Sequence, residues 1–208
     1  SGTARPPRQG EKFNGLMQVG FVNGKDPEEA KERDHFPGLT PLYPEKQMIL
    51  ETRNIAIQDT YGERFQHCWG CGPKNESGLH LKTYPSLNGT SCISKITPAQ
   101  QYTGGVPANL FGGMIAMIFD CHGTASAAWF AHQNKGLDLT EETVIGRFIT
   151  ARLEIDYKSP TPIDEEITVI SRLEELGQRK AIVAMEMTVA DQVRAKARMV
   201  AVAVKDNI

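Results

Sequence analysis

The sequence has no uninterrupted apolar run long enough to span a bilayer, and its first residues hold no signal-peptide core. Nor does it have a basic block: 23 Lys and Arg stand against 25 Asp and Glu, for a formal net charge of −2. Binding nucleic acid by neutralising phosphates therefore has no support. Four cysteines (Cys68, Cys71, Cys92, Cys121) in 208 residues are too few and too irregularly spaced for a disulfide framework. These absences leave a cytoplasmic globular protein with no membrane or nucleic-acid partner as the expectation. A content of 40% hydrophobic and 23% charged residues fits that class.

Residues 1–60 differ in character from the rest of the chain. They hold six of the prolines (Pro6, Pro7, Pro27, Pro37, Pro41, Pro44) and little sustained periodicity. Asp26 followed by Pro27 suits an N-cap and first helical position, predicting a short helix that ends near Asp34. A second helix over 45–57 is the weaker expectation. The region is an N-terminal extension, either covering an entrance of the main domain or merely wrapping its surface.

Residues 61–208 form the main domain. Apolar and polar residues alternate over 79–84 and Ser91–Ile96, predicting two strands. After the polar loop 132–143, four more strand patterns succeed one another at 147–157, 166–173, 180–189 and 194–204. Gly177 to Arg179 and Ala190 to Gln192 mark the tight turns between the later strands.

The segment 102–129, YTGGVPANLFGGMIAMIFDCHGTASAAW, is the most informative. From Gly112 to about Ala131 it lacks proline and is apolar nearly all round, which predicts a long helix buried on every side. Two glycines stand at its mouth and one carboxylate, Asp120, in its middle. An ionised carboxylate in such a place needs a partner or a task. The small residues Ala116, Gly123, Ala125, Ser126, Ala127 and Ala128 would let an antiparallel sheet curl closely round the helix.

Three segments, Cys-Trp-Gly-Cys-Gly at 68–72 with Gly78-Leu79, FGGMIAMIFDCHG at 111–123 and ITARLEIDYKSPTPI at 149–163, resemble the PaaI-type hotdog-fold acyl-CoA thioesterases over roughly 65–204. The resemblance implies an α+β hotdog fold, in which an antiparallel sheet wraps one long helix. In that family the helix opens His-Gly-Gly, with Asp nine residues after the His. Here Phe111 stands at the His position and Asp120 keeps the spacing. A hydroxyl residue ten before the proline of the Tyr-x-x-Pro strand end corresponds to Thr150 before Pro160. An Asn that some members carry six residues before the His falls on Gly105.

The resemblance implies an acyl-CoA substrate and no cofactor, with the Gly112 N–H as oxyanion donor and Gly113 leaving room beside it. Asp120 then acts as general base on water or attacks directly. Gly112 and Asp120 are eight residues apart, about 12 Å along a helix, so both cannot reach one carbonyl carbon. The site must join Gly112 of one protomer to Asp120 of another, which requires a homodimer or a tetramer built from dimers. Thr150, or else Thr124 four residues after Asp120, would help the acid hold water.

Around this core stand further candidates, each with a plainer reading. Asn109 is most simply the helix N-cap, or else its amide replaces the polar group lost at Phe111. Asp120 could be a structural carboxylate, and the two glycines could serve helix packing alone. Lys158, Arg179 and Lys180 are candidates for the coenzyme A phosphates, or ordinary solvated charges. Met114, Met117 and Phe119 could line an acyl tunnel, or be plain core. His122 lies two positions from Asp120, on another side of the helix, and reads as a satisfied core histidine. That placement also argues against a dehydratase. His67, Cys68 and Cys71 invite a zinc reading, but no second Cys or His pair stands downstream at fitting spacing, so no metal is expected. Phe111 keeps a second functional class open: a non-catalytic acyl-CoA-binding or regulatory protein on the same scaffold.

Overall fold

The structure, a computed structural model, describes residues 51–205. Strands β1 (Tyr84–Pro85) and β2 (Ser91–Ile96) precede helix α1 (Gly112–Gln133). Strands β3 (Phe148–Tyr157), β4 (Ile167–Leu176), β5 (Lys180–Val189) and β6 (Gln192–Ala203) come after it. They form one six-stranded antiparallel sheet in the order β1-β2-β4-β5-β6-β3. The chain leaves β2, crosses the sheet as α1 and returns at the opposite edge as β3, so the helix lies along the sheet and contacts β2 to β6. This is the expected hotdog arrangement. Among the described residues no helix is long and apolar enough to cross a membrane.

The α1–sheet interface is made by fully buried side chains: Met114, Ile118, Phe119 and Trp129 from the helix, Val183, Met185, Met187 and Met199 from the sheet. Gly123 marks the closest approach. A Cβ there would lie 2.7 Å from Met199 Cε and 2.9 Å from Met185 Sδ, so the two methionine ends pack into the space that glycine leaves. A mid-helix glycine costs about 1 kcal/mol of helix propensity, which this apolar packing offsets.

β5 covers residues 180–189 as the pattern predicts. It is central in the sheet and buried along all but its first residue. Ala190 and Asp191 connect it to β6 with φ of 48° and 60°. Two consecutive left-handed residues make the hairpin turn whose twist matches that of the strands. Gln192, expected in that gap, instead opens β6 by pairing with Val189.

Other expectations need correction. Of residues 79–84 only Tyr84 enters a strand. The amides of Leu79 and Leu81 bond instead to the carbonyls of Trp69 and Gly70, so their alternation reflects packing against a loop. The helix expected over 45–57 is absent from its described part. Arg53 and Leu87 donate to Pro85 and Glu51, holding that stretch extended alongside residues 85–87 until a 3-10 turn starts at Ile57. The helix expected from Asp26 and the rest of residues 1–50 lie outside the described residues. Nor is α1 covered on every side. Gly112 and Gly113 are exposed and Ala116, Met117 and Asp120 half-buried, a stripe at helical spacing over its first two turns.

Candidate active site

α1 begins at Gly112 with Phe111 as its N-cap, in extended backbone and with no side-chain cap. The reason lies upstream. Leu110 donates to the Thr161 carbonyl and Phe111 to that of Tyr102, holding the chain extended through both residues. Asn109 pairs with Pro162 two residues before the cap, so it does not cap the helix as expected. The first helical amides have no carbonyl within the helix to donate to, and they carry the positive end of its dipole.

The two glycines at this mouth differ. A Cβ on Gly113 would lie 2.5 Å from Cε2 of the Phe111 ring, which folds over it. Among the described residues, the atoms nearest to a Cβ on Gly112 belong to the Tyr157 ring, at 3.6 Å, an ordinary van der Waals contact. The nearest packing among the described residues thus accounts for glycine at 113 but not at 112. Tyr157, from the end of β3, donates its hydroxyl to the Gly112 carbonyl at 3.1 Å. The sequence alone assigns this tyrosine no role of its own, although it stands in the Tyr-x-x-Pro motif. Desolvation raises its pKa, so its proton is kept for that bond.

Two turns further along, the Thr150 hydroxyl donates to Asp120 Oδ1 at 2.5 Å. Thr150 sits at a bulge in β3, where the register with β6 slips between Thr150 and Arg152. The bulge turns the strand locally and aims the hydroxyl at the helix. Thr124 takes no part. Its hydroxyl donates to the backbone carbonyls of Asp120 and Cys121, at 3.0 and 3.3 Å. A serine or threonine four residues along a helix finds that carbonyl more easily than a neighbouring carboxylate.

The expected phosphate ligands are engaged elsewhere. Lys158 reaches Asp156 at 2.9 Å, Arg179 donates to the Ala203 carbonyl and Lys180 pairs with Glu175. Met114 and Phe119 are core residues, while Met117 is half-covered.

His122 is fully buried. Its Nδ1 lies 2.7 Å from Ser94 Oγ, continuing a chain of buried hydrogen bonds through Thr83 to Gln58. Among the described residues its Nε2 has no partner, so there the histidine is only half satisfied. Burial pushes its pKa down to about 3, leaving it neutral.

On another side of the same helix stands a group that the sequence did not disclose. Cys121 meets Cys68 and Cys71 from the turn before β1, and the three Sγ atoms lie within 4.8 Å of one another. Spacing along the chain argues against a metal for want of a second pair of ligands, yet a third thiol arrives from a helix fifty residues downstream.

The chain is similar to several known proteins. The family described as the thioesterase superfamily matches residues 108–196, which take in Gly112, Asp120 and Thr150. A thioesterase superfamily protein of Shewanella loihica PV-4 is 32% identical, over 61% of this chain and 93% of that one, with a TM-score of 0.49. Another thioesterase superfamily protein, 23% identical over 83% of this chain and 78% of that one, has a TM-score of 0.51 and shares the fold. Among curated proteins, the chain is 62% identical over 53 residues to transcription termination factor Rho of Bacillus subtilis. That stretch is 26% of this chain and spans only 12% of the length of Rho.

Proposed function

The chain belongs to the hotdog-fold thioesterase superfamily, and on that footing we propose that it hydrolyses an acyl-CoA thioester at a site shared by two copies of the chain. The observation that carries this reading is the Asp120 carboxylate, half-buried in an apolar helix, ordered by the Thr150 hydroxyl and open on the same uncovered stripe as Gly112. Within one chain the two ends of that stripe are about 12 Å apart, too far to serve one carbonyl. A second helix laid antiparallel on the stripe would bring Gly112 of one protomer to Asp120 of its partner, twice over by symmetry. β3 favours pairing of this kind, because it ends the sheet and has no strand on its outer side among the described residues.

In such a site the thioester oxygen accepts from the Gly112 amide, a donor worth roughly 3 kcal/mol of barrier in comparable oxyanion holes. Asp120 takes a proton from water as that water attacks the carbonyl carbon. The carbon–sulfur bond then breaks, and the departing thiolate recovers the proton, giving free acid and coenzyme A. Residues 61–208 carry this activity, with 1–60 as an extension.

One observation favours a second reading. Phe111 holds the helix mouth with an aromatic ring and no side-chain cap, in a place where the resemblance to PaaI-type thioesterases implies a histidine. A non-catalytic acyl-CoA-binding protein would tolerate that exchange. Assay of the purified chain against acyl-CoAs of several lengths separates the two. Hydrolysis is expected, with Asp120→Asn lowering kcat by roughly 10²–10⁴, the range for a general base. Binding without turnover, indifferent to the Asp120 change, would establish the second reading.

A further inference from the structure

We propose that Cys68, Cys71 and Cys121 bind one thiophilic d10 cation, Zn²⁺ or Cu⁺, which fastens the Cys68–Cys71 turn to α1 one residue from Asp120. This site lies outside the hydrolytic reading and does not depend on it.

The spacing of the sulfurs fits a metal. Tetrahedral zinc with bonds of about 2.3 Å to sulfur sets its ligands about 3.8 Å apart. Cys68 Sγ and Cys121 Sγ are 3.8 Å apart, and all three Sγ lie within 4.8 Å of one another. All four cysteines of the chain are free thiols. A disulfide would need two of the three sulfurs at about 2.05 Å and would leave the third without a purpose.

The turn is shaped for this approach. Gly72 N–H closes it on the Cys68 carbonyl at 2.8 Å. A Cβ on Gly72 would lie 2.5 Å from the Cys68 nitrogen and 2.4 Å from the Gln66 carbonyl oxygen, so only glycine lets the loop wind this tightly. A Cβ on Gly70 would lie 2.5 Å from Cys121 Sγ and 2.5 Å from Met117 Sδ. The missing side chain at 70 is what admits the helix sulfurs to the turn.

The surroundings suit a soft, anionic centre. Met117 Sδ stands 3.9 Å from Cys121 Sγ and supplies a fourth soft donor at the edge of the group. Three thiolates on a divalent ion leave one negative charge. Arg147 is stacked 4.6 Å over the ring of Tyr61, a member of the same buried cluster as Cys71 and Cys121. On coordination each thiol gives up its proton to solvent.

The test uses the full chain, purified under reducing conditions without a metal-binding tag. Metal analysis is expected to find one equivalent of zinc or copper per chain. After chelation, added Co²⁺ is expected to produce a thiolate-to-cobalt charge-transfer band that saturates at one equivalent. Cys68→Ser, at the half-exposed ligand, and Cys121→Ser should each lower bound metal at least about tenfold. Cys92→Ser, at the cysteine outside the group, should retain it. Circular dichroism confirms that each variant is folded, and Cys68→Ser, which removes the least buried sulfur, serves if Cys121→Ser is not. Wild-type protein with neither stoichiometric metal nor the cobalt band overturns the proposal. So do serine variants that bind like wild type, and so does peptide mapping that finds a Cys68–Cys121 disulfide.

Discussion

The Thr150 hydroxyl donates to the Asp120 carboxylate at 2.5 Å, tying a bulge in the edge strand to the middle of the central helix. A hydrogen bond to a charged acceptor contributes about 1.5–3 kcal/mol, enough to fix which carboxylate oxygen remains free for water. Thr150→Val keeps the shape and removes the donor, so kcat/KM should fall by about tenfold to a hundredfold. Thr150→Ser should restore most of that loss. Steady-state kinetics of the two variants check this, and equal activity in both would remove the hydroxyl from the site.

The glycines at the helix mouth should separate stability from activity. Gly112→Ala puts a methyl in ordinary van der Waals contact with the Tyr157 ring and raises helix propensity by at most about 1 kcal/mol. The same methyl occupies the space through which a thioester would reach the amide. Denaturant unfolding should therefore show unchanged or improved stability, while kcat falls. A variant that is both stable and fully active would mean that no substrate approaches the backbone there.

How far this was readable in the sequence depended on how far apart the interacting residues lie. β2 and β5 form where expected although neither buries alternate residues: β5 is buried along all but its first residue, and its apolar run between turn residues is itself a local signal. The pattern at 79–84 misled, because a loop can bury alternate residues while its amides bond elsewhere. Asp120 and Thr150 stood out through residue chemistry and family spacing. Asn109 failed as a cap because tertiary bonds at Leu110 and Phe111 delay the helix, which no local signal records. The meeting of Cys121 with Cys68 and Cys71 was invisible because it joins segments across fifty residues. The half-satisfied His122 was missed for a related reason, since only the fold shows that no described residue reaches Nε2.

His122 should govern stability at acid pH. Its folded pKa of about 3 lies below the ordinary histidine value of 6.5, because burial disfavours the imidazolium. Between these values the unfolded chain binds a proton that the folded chain does not. Stability is therefore full above about pH 6.5 and declines as pH falls toward 3, by up to about 1.4 kcal/mol per pH unit. Urea unfolding at several pH values should show that slope. His122→Asn, which keeps a partner for Ser94 without a titrating ring, should flatten it, and an unchanged slope would assign the acid sensitivity to other groups.

The shared site is tested most directly by mixing two defective chains. Gly112→Val should block the amide side of a site, and Asp120→Asn should remove its base, so each homodimer should be inactive. Unfolded and refolded together in equal amounts, half of the dimers are mixed, and each mixed dimer holds one site with an intact glycine and an intact aspartate. Activity should return to about a quarter of the wild-type level per chain. Failure of the mixture to recover, with mixed dimers shown to have formed, would contradict a site built from two chains.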